Sequence, residues 1–251
     1  GNDFILIDQR HRQWLSPNDE ALVARLCQRR FGIGADGLML LQSHPELDFE
    51  MVYFNSDGRP GTMCGNGGRC IVAFAERLGL VHEECRFLAP DGVHEACIRP
   101  DGIVELHMAD VPHPDRLPDG ACVLDTGSPH YVRFVPTTEG LDVVQEGRKV
   151  RYSALFAEAG INVNFVEAQG RHLRVATYER GVEDETWSCG TGVTASALAW
   201  AALRPEVQSP VWIDTRGGRL EVRFRRAGEG FTDVWLCGPA TFVFAGEVAI
   251  G

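Results

Sequence analysis

The stretch TMCGNGGR at residues 62–69 runs directly into the apolar segment CIVAFAERLG, and SCGTG at residues 188–192 runs directly into VTASALAWAAL. A glycine ends the first segment and a proline follows the second closely, as at helix ends. Both segments are apolar or small on most sides, which is typical of buried helices. The sequence therefore predicts two buried helices, one starting after Cys64 and the other after Cys189.

The surroundings of the two cysteines also match. Gly92 lies 28 residues after Cys64, and Gly217 lies 28 residues after Cys189, each between two predicted strands. Two further pairs of segments are similar: YFN (53–55) with TYE (177–179), and NDFI (2–5) with NFV (164–166). This is an internal repeat with a period of about 125 residues, far longer than a solenoid unit.

Each half contains several segments with strand patterns around its one buried helix. They are DFILID, LDFEMVYF, CRFLA, VHEACI and VELHM in the first half, and INVNFVE, LRVATYE, PVWID, RLEVRF and FTDVWL in the second. We therefore predict an α/β (α+β) protein of two pseudo-symmetric domains, 1–117 and 118–238, joined at the proline-rich stretch VPHPDRLPDG (111–120). The last segment, 239–251, is predicted as a strand that could return to the first domain.

One additional helix is predicted from Ser16 to Arg30. Ser16 suits the N-cap, Pro17 the first helical position and Glu20 the capping box.

Composition excludes several classes of function. The 251 residues are 44% hydrophobic and 24% charged, and their apolar stretches are far shorter than the ~20 residues of a membrane span. The N-terminus does not have the pattern of a signal peptide, so the expected location is the cytoplasm. The net charge of −11, without clustered basic residues, argues against nucleic acid as a partner. A homodimer is compatible with the sequence.

Cofactor chemistry is restricted as well. Lys149 is the single lysine, and its polar surroundings make it a poor Schiff-base residue for pyridoxal phosphate. The eight cysteines contain no CxxC pair, so we expect free thiols and neither a structural zinc site nor any other metal site. The expected cofactor is none.

A thiol at a helix N-terminus can have a pKa lowered from about 8.5 to roughly 3.5–7.5. If the two halves face each other, one thiol lies on each side of a bound carbon atom, as removal and return of a proton on opposite faces requires. The helix N-terminal N–H groups would bind a carboxylate. These groups belong to Gly65, Asn66, Gly190 and Thr191. The pattern indicates a cofactor-free racemase or epimerase.

Eight short motifs around these cysteines together resemble the diaminopimelate epimerase family, in order and across almost the whole chain. They are GNDF (1–4), GIGADG (32–37), FNSDG (54–58), MCGNGGRC (63–70), GSPH (127–130), INVNF (161–165), ERG (179–181) and SCGTG (188–192). The resemblance implies a curved sheet or barrel around a central helix in each domain, with the site in the cleft between them. It also implies interconversion of LL- and meso-2,6-diaminopimelate without pyridoxal phosphate or metal, a step in making lysine and peptidoglycan precursors.

The resemblance also implies roles for individual residues. Cys64 and Cys189 match the acid–base pair, and His130 and Glu179 match positions that tune the thiols. The residues that match the binding positions for the distal, non-reacting groups of the substrate are Asn2, Asn55, Asn162, Glu179 and Arg180. The backbone groups of Gly65, Asn66, Gly190 and Thr191 match the α-carboxylate site. Ser128 replaces a common asparagine, and Gly37 replaces a glutamine of some members.

Three other functions stay open. The first is a proline or hydroxyproline racemase of the same architecture, against which Asn66 and the ERG motif speak. The second is a thiol redox switch in which Cys64 and Cys189 form a disulfide, which predicts no turnover. The third is a carboxylate-binding module, which would not need both thiols. Taken singly, the asparagines also suit turns and the cysteines suit a core.

Overall fold

The computed structural model describes residues 1–249 and divides the chain into two compact units. The N-terminal unit consists of Asn2–Leu106 with the described chain from Pro239 onward, and the C-terminal unit consists of His107–Gly238 with Gly1. The division therefore lies earlier than the predicted one after residue 117.

Backbone pairing explains the position of this division. Val111 and Phe231 exchange two backbone hydrogen bonds of 2.7 and 2.8 Å, and the His107 ring lies 4.7 Å from the Trp235 ring. The chain thus contacts the C-terminal unit from His107 and is paired with it at Val111, the first residue of the proline-rich stretch, and that stretch itself contains a short strand.

The N-terminal unit alternates strands with two helical segments. Along the chain its elements are β1 (Phe4–Asp8), α1 (Glu20–Cys27), β2 (Gly37–Gln42), β3 (Phe49–Asn55), α2 (Gly65–Arg77), β4 (Glu84–Ala89), β5 (Gly92–Ile98) and β6 (Val104–Met108), the last of which crosses the division. The strands neighbour one another in chain order, with parallel pairing of β1 to β2 and of β3 to β4 and antiparallel pairing elsewhere.

The C-terminal unit follows the same scheme with extra elements. They are β7 (Asp115–Arg116), β8 (Cys122–Asp125), β9 (Pro129–Phe134), α3 (Val143–Arg151), β10 (Asn162–Gln169), β11 (His172–Glu179), β12 (Asp184–Thr186), α4 (Gly190–Leu203), β13 (Val211–Thr215), β14 (Gly218–Ala227) and β15 (Gly230–Gly238). Their order is β7-β8-β9-β10-β11-β13-β14-β15, with β12 beside β11. Pairing is parallel between β9 and β10 and between β11 and β13.

The two units repeat one topology around one buried helix each. In both, a parallel pair is followed by an antiparallel strand, the helix, a parallel return and two antiparallel strands. Helix α2 packs on β1, β2 and β5, whereas α4 is contacted by β8–β11 and β13–β15. The predicted fold class, with pseudo-symmetric halves around central helices, is confirmed.

The topology corrects one detail of the predicted repeat. The first parallel pair is β1 with β2 in one unit and β9 with β10 in the other. The counterpart of β1 is therefore β9, and Asn164, which lies in β10, is not the equivalent of Asn2.

The additional helix is shorter than predicted, because α1 spans only Glu20–Cys27. The Asp19 carboxylate accepts hydrogen bonds from the Ser16 N–H at 2.7 Å and the Ser16 hydroxyl at 3.0 Å. This closes residues 16–19 as a separate turn instead of a first helical turn. At the other end, the C-cap residue Gln28 has an extended backbone (φ −66°, ψ 115°), so the helix ends before Arg30.

The predicted C-terminal strand is wrong, because residues 239–249, the described part of that segment, form no strand. Pro239 follows β15 and lacks the N–H that a further ladder bond would need. Beyond it, Phe242 is half exposed and its ring lies 3.7 Å from the Arg77 guanidinium. Residues 250 and 251 lie outside the described residues. Over the described chain, the helices are too short or too polar to cross a membrane.

Candidate active site

Cys64 is the N-cap residue of α2. Its backbone is extended (φ −121°, ψ 138°), and its Sγ accepts a hydrogen bond from the Gly67 N–H at 3.3 Å. The first backbone bond inside the helix runs from the Gly68 N–H to the Cys64 carbonyl at 2.8 Å. A sulfur atom at the positive end of a helix favours the thiolate form, because the N–H dipoles stabilise negative charge.

Asn2 and Asn66 are joined side chain to side chain in a polar chain beside this cysteine. Arg69 donates to Asn66 Oδ1 at 2.9 Å, Asn66 Nδ2 donates to Asn2 Oδ1 at 2.6 Å, and Asn2 Nδ2 donates to Asp36 Oδ2 at 2.8 Å. Arginine can only donate and a carboxylate can only accept, so both amides are fixed in orientation. Arg29 Nη2 donates a hydrogen bond of 2.9 Å to the other carboxylate oxygen of Asp36, Oδ1.

Asn55 ends β3 at a tight turn. Its backbone N–H donates to the Arg59 carbonyl, and its own carbonyl accepts from the Gly58 N–H, both at 2.9 Å, while its side chain is exposed. Gly37 lies on the paired strand, and a Cβ there would be 2.6 Å from the Tyr53 ring. A side chain at position 37 is therefore excluded by the packing.

Cys189 is the N-cap residue of α4 and repeats the position of Cys64. Its backbone is again extended (φ −112°, ψ 111°), and its Sγ lies 3.4 Å from Thr191 Oγ1. The Cys189 side chain is buried. The Thr191 carbonyl in turn accepts a hydrogen bond of 2.8 Å from the Thr126 hydroxyl, which holds this turn in place.

The four residues predicted to bind a carboxylate through their backbone occupy the first two positions of the two helices. They are Gly65 and Asn66 in α2, and Gly190 and Thr191 in α4. Their N–H groups precede the first backbone bond inside each helix, which in α4 is from Val193 to Cys189 at 2.9 Å. Helix N–H groups in this position suit an anionic ligand.

His130 lies close to Cys189 and reaches it through Thr191. Its Nε2 is 2.9 Å from Thr191 Oγ1 and 3.1 Å from Ser128 Oγ. The ring is fully buried, and burial together with the positive charge of Arg180 lowers the pKa of His130 to about 3. His130 is therefore neutral near pH 7 and acts on this site as a hydrogen-bonding group.

The buried neutral His130 makes stability depend on pH. Its folded-state pKa of about 3 lies below the ordinary value of 6.5, so the unfolded state binds more protons between these values. We expect the free energy of unfolding to fall as pH drops from 6.5 toward 3, with about 2 kcal/mol of His130-dependent loss at pH 5.

Urea unfolding at pH 7 and pH 5 measures this loss. Carboxylates with lowered pKa values, such as Glu183 at about 2, lose stabilisation in the same direction, so the comparison is between wild type and His130→Gln. An equal loss of unfolding free energy between pH 7 and pH 5 in wild type and in His130→Gln would contradict a neutral, buried His130 ring.

Asn162 links Ser128, which contacts the His130 ring, to the backbone of Arg180. Asn162 Nδ2 donates to Ser128 Oγ at 2.9 Å, and its Oδ1 accepts from the Arg180 backbone N–H at 2.8 Å. The exposed Arg180 side chain donates through Nη1 to the Ala159 carbonyl at 3.0 Å. Glu179 precedes it at the end of β11, and burial raises the pKa of the Glu179 carboxyl.

The sequence reasoning did not single out several residues of these networks, among them Asp36, Asn164 and Thr177. The Asn164 amide lies 3.0 Å from His130 Nδ1, and the Thr177 hydroxyl donates to Asn164 Oδ1 at 2.9 Å. Asn164 is two residues after Asn162 in INVNF, so it lies on the same face of β10. That alternation was the available signal. Nothing comparable marked Thr177, whose partner Asn164 is on the neighbouring strand.

The described residues contain no group of three or more His, Cys, Asp or Glu side chains placed to hold a metal ion. Lys149 is exposed on α3 and pairs with Glu146 one turn earlier. The candidate functional groups of the two units are thus thiols, hydroxyls, amides and helix N–H groups.

Comparison with known proteins places this chain in a family. The sequence model described as "Diaminopimelate epimerase" matches residues 1–113 and 122–243. The diaminopimelate epimerase of Flavobacterium psychrophilum is 49% identical over 97% of this chain and 95% of its own length. That of Chlorobaculum tepidum is 42% identical over 100% of this chain and 98% of its own.

Solved structures share the fold at low sequence identity. A Bacillus anthracis phenazine biosynthesis protein of the PhzF family aligns with a TM-score of 0.72 and 14% identity, covering 94% of this chain and 90% of that protein. A probable proline racemase from Agrobacterium radiobacter K84 aligns with a TM-score of 0.64 and 17% identity, covering 94% and 82%. These two likenesses concern the fold alone. Because the sequence relatives span nearly the whole chain at 42–49% identity, the chain belongs to the diaminopimelate epimerase family.

Proposed function

We propose that this enzyme interconverts LL- and meso-2,6-diaminopimelate by a two-base mechanism in which Cys64 and Cys189 are the acid–base pair. The observation that carries this proposal is the repeated N-cap position of the two cysteines in a chain whose relatives are named diaminopimelate epimerases. The substrate is a free small molecule and the reaction is an isomerisation.

The proton balance needs one thiolate and one thiol. The thiolate sulfur takes the α-proton, the C–H bond breaks, and its electron pair moves toward the α-carboxylate. The other thiol gives its proton to the opposite face of the same carbon, forming the new C–H bond and leaving a thiolate. The two cysteines therefore exchange roles with the stereochemistry of the substrate, and both must be reduced.

Stabilisation of the developing carboxylate charge is assigned to the helix N–H groups of Gly65, Asn66, Gly190 and Thr191. Their hydrogen bonds strengthen as negative charge moves onto the carboxylate oxygens. One such preorganised donor is typically worth about 2.7–4 kcal/mol in the transition state. No pyridoxal phosphate or metal is needed for this scheme.

We assign the distal, non-reacting amino and carboxylate groups to Asn2, Asn55, Asn162, Glu179 and Arg180. The fixed amides of Asn2 and Asn162 support this assignment, since each presents a defined donor or acceptor. His130 and Glu179 are assigned to tuning the two thiols.

Arg180 gives a specific prediction. A guanidinium fork binds a carboxylate through two parallel hydrogen bonds, which lysine cannot reproduce. We expect Arg180→Lys to raise KM for LL-diaminopimelate roughly tenfold with a smaller change in kcat. Steady-state kinetics measure both constants.

The matched control is Arg174→Lys, since Arg174 is an exposed arginine on β11, the strand that Arg180 directly follows. It should leave KM unchanged. An unchanged KM in Arg180→Lys would remove Arg180 from the distal carboxylate.

Solvent deuterium incorporation tests the proposed reaction directly. LL-diaminopimelate is incubated with reduced enzyme in D2O without pyridoxal phosphate, and NMR follows the α-carbon. We expect deuterium at that carbon together with the meso isomer. Exchange of L-proline or L-hydroxyproline instead would identify a racemase of the same fold, and no exchange with any of them would favour a redox switch or a binding module.

We further propose that the enzyme works in the cytoplasm and without nucleic acid as a partner, in line with its net charge of −11. A homodimer stays a prediction, which light scattering after size exclusion can check at working concentrations.

A further inference from the structure

We propose that Asn164 is a positioning residue for Cys189: it fixes the tautomer of His130 so that the Thr191 hydroxyl donates its proton to the Cys189 sulfur. This inference deepens the proposed function, on which its catalytic meaning rests. The contacts that carry it all lie within the C-terminal unit.

Asn164 is fully buried, and its amide can have only one orientation. Its Nδ2 lies 3.1 Å from the Tyr131 backbone carbonyl and 3.0 Å from His130 Nδ1, while its Oδ1 accepts from the Thr177 hydroxyl at 2.9 Å. A carbonyl oxygen can only accept, so the NH₂ group must face Tyr131 and, with it, the His130 ring.

The tautomer of His130 follows from this orientation. Nδ1 accepts the Asn164 N–H and therefore carries no proton, so in the neutral ring the proton is on Nε2. Nε2–H then donates to Thr191 Oγ1, 2.9 Å away.

A second chain of donors ends on the same hydroxyl. Asn162 is fixed by the Arg180 backbone N–H at its Oδ1 and by the Pro129 carbonyl at its Nδ2, so it donates to Ser128 Oγ at 2.9 Å. Because His130 Nε2 already carries a proton, the Ser128 O–H is left to donate to Thr191 Oγ1 at 3.3 Å.

Thr191 Oγ1 thus accepts from both His130 and Ser128. Its own proton has the Cys189 sulfur, 3.4 Å away, as its acceptor. An O–H that donates to sulfur stabilises the thiolate over the thiol. This series of hydrogen bonds also gives Ser128 a role, since its hydroxyl both accepts from Asn162 and donates to Thr191.

The first test is the tautomer itself. Long-range proton–nitrogen NMR on the resting protein distinguishes Nδ1–H, Nε2–H and doubly protonated rings, and His130→Gln assigns the signal among the eight histidines. We expect an Nε2–H ring in wild type at pH 7. In Asn164→Asp, a carboxylate faces Nδ1, and we expect a proton to appear on that nitrogen. An Nδ1–H or doubly protonated ring in wild type would overturn the proposal.

The second test measures the reactivity of the Cys189 sulfur. Iodoacetamide alkylation at pH 7 is followed by peptide mass spectrometry, and the Cys189 rate is divided by the Cys64 rate in the same sample. We expect this ratio to fall roughly tenfold in Thr191→Val, which removes one charge-assisted hydrogen bond, and to recover in Thr191→Ser. Asn164→Asp should also lower the ratio of the Cys189 rate to the Cys64 rate.

The matched control is Ser196→Ala, which removes another buried side-chain hydrogen bond in α4, from Ser196 to the Gly192 carbonyl at 2.7 Å. It should lower stability without moving the tautomer or the alkylation ratio. If Thr191→Val leaves the ratio unchanged, the hydroxyl does not act on the sulfur. Both tests use the protein without substrate, so they succeed or fail independently of the deuterium experiment.

Discussion

Alanine at Cys64 or at Cys189 is expected to reduce kcat for epimerisation of LL-diaminopimelate by at least about 10³-fold. Each turnover uses one sulfur to break a C–H bond and the other to form one, so neither thiol can replace its partner. Binding should change little, because the helix N–H groups belong to the backbone and survive the substitution. Coupled or polarimetric assays of the purified variants measure the loss.

The control for this prediction is Cys97→Ala, since Cys97 is a half-buried thiol on β5. It should keep wild-type kcat. We expect Cys64→Ala to lose about 1 kcal/mol of stability as well, because its sulfur caps α2 through the Gly67 N–H. Thermal unfolding measures this loss of stability separately from the loss of kcat. Turnover within tenfold of wild type in either active-site variant would contradict the two-base mechanism.

Both cysteine positions could be predicted because the signals that define them are local. A buried apolar segment fixes each helix, and the glycine-rich residues before it fix where the helix begins, so Cys64 and Cys189 fall on the N-caps. Apart from the C-terminal segment, the predicted strands are likewise found in place, since apolar alternation over five to eight residues is a short-range property.

Other elements depended on contacts that a local pattern does not contain. The predicted helix from Ser16 begins later because the Asp19 carboxylate turns back to Ser16. The end of the chain has strand-like composition, but Pro239 ends the pairing of β15 and the described residues after it form no strand.

The hydrogen-bonded networks were the least predictable part of the candidate site. Asn2 meets Asp36 just before the parallel strands β1 and β2, and Asn164 meets His130 across the parallel strands β10 and β9, with a sequence separation of 34 in each case. Asparagine in such places also suits turns, so its role is decided by the groups that the sheet brings to it.

Gly192→Ala is expected to be the most damaging single-methyl change near the site. A Cβ at Gly192 would overlap Asn164 Oδ1 and lie 3.2 Å from His130 Cε1. Asn164 cannot turn aside, because its Oδ1 holds the Thr177 hydroxyl and its Nδ2 holds His130 and the Tyr131 carbonyl. The strain must move α4 or β10, and we expect a loss of about 2 kcal/mol or more in urea unfolding.

The other half of the repeat supplies the control. Gly67 stands three residues after Cys64, as Gly192 stands three after Cys189, but the atoms nearest to a Cβ at Gly67 would be the flexible end of Met39, at 3.4 Å, and Cys64 Sγ, at 3.7 Å. Alanine also favours the helix over glycine by about 0.5–1 kcal/mol. Gly67→Ala should therefore unfold at the same or a higher urea concentration than wild type. If the two variants lose equal stability, the cost at Gly192 arises from the helix start and not from the locked Asn164 side chain.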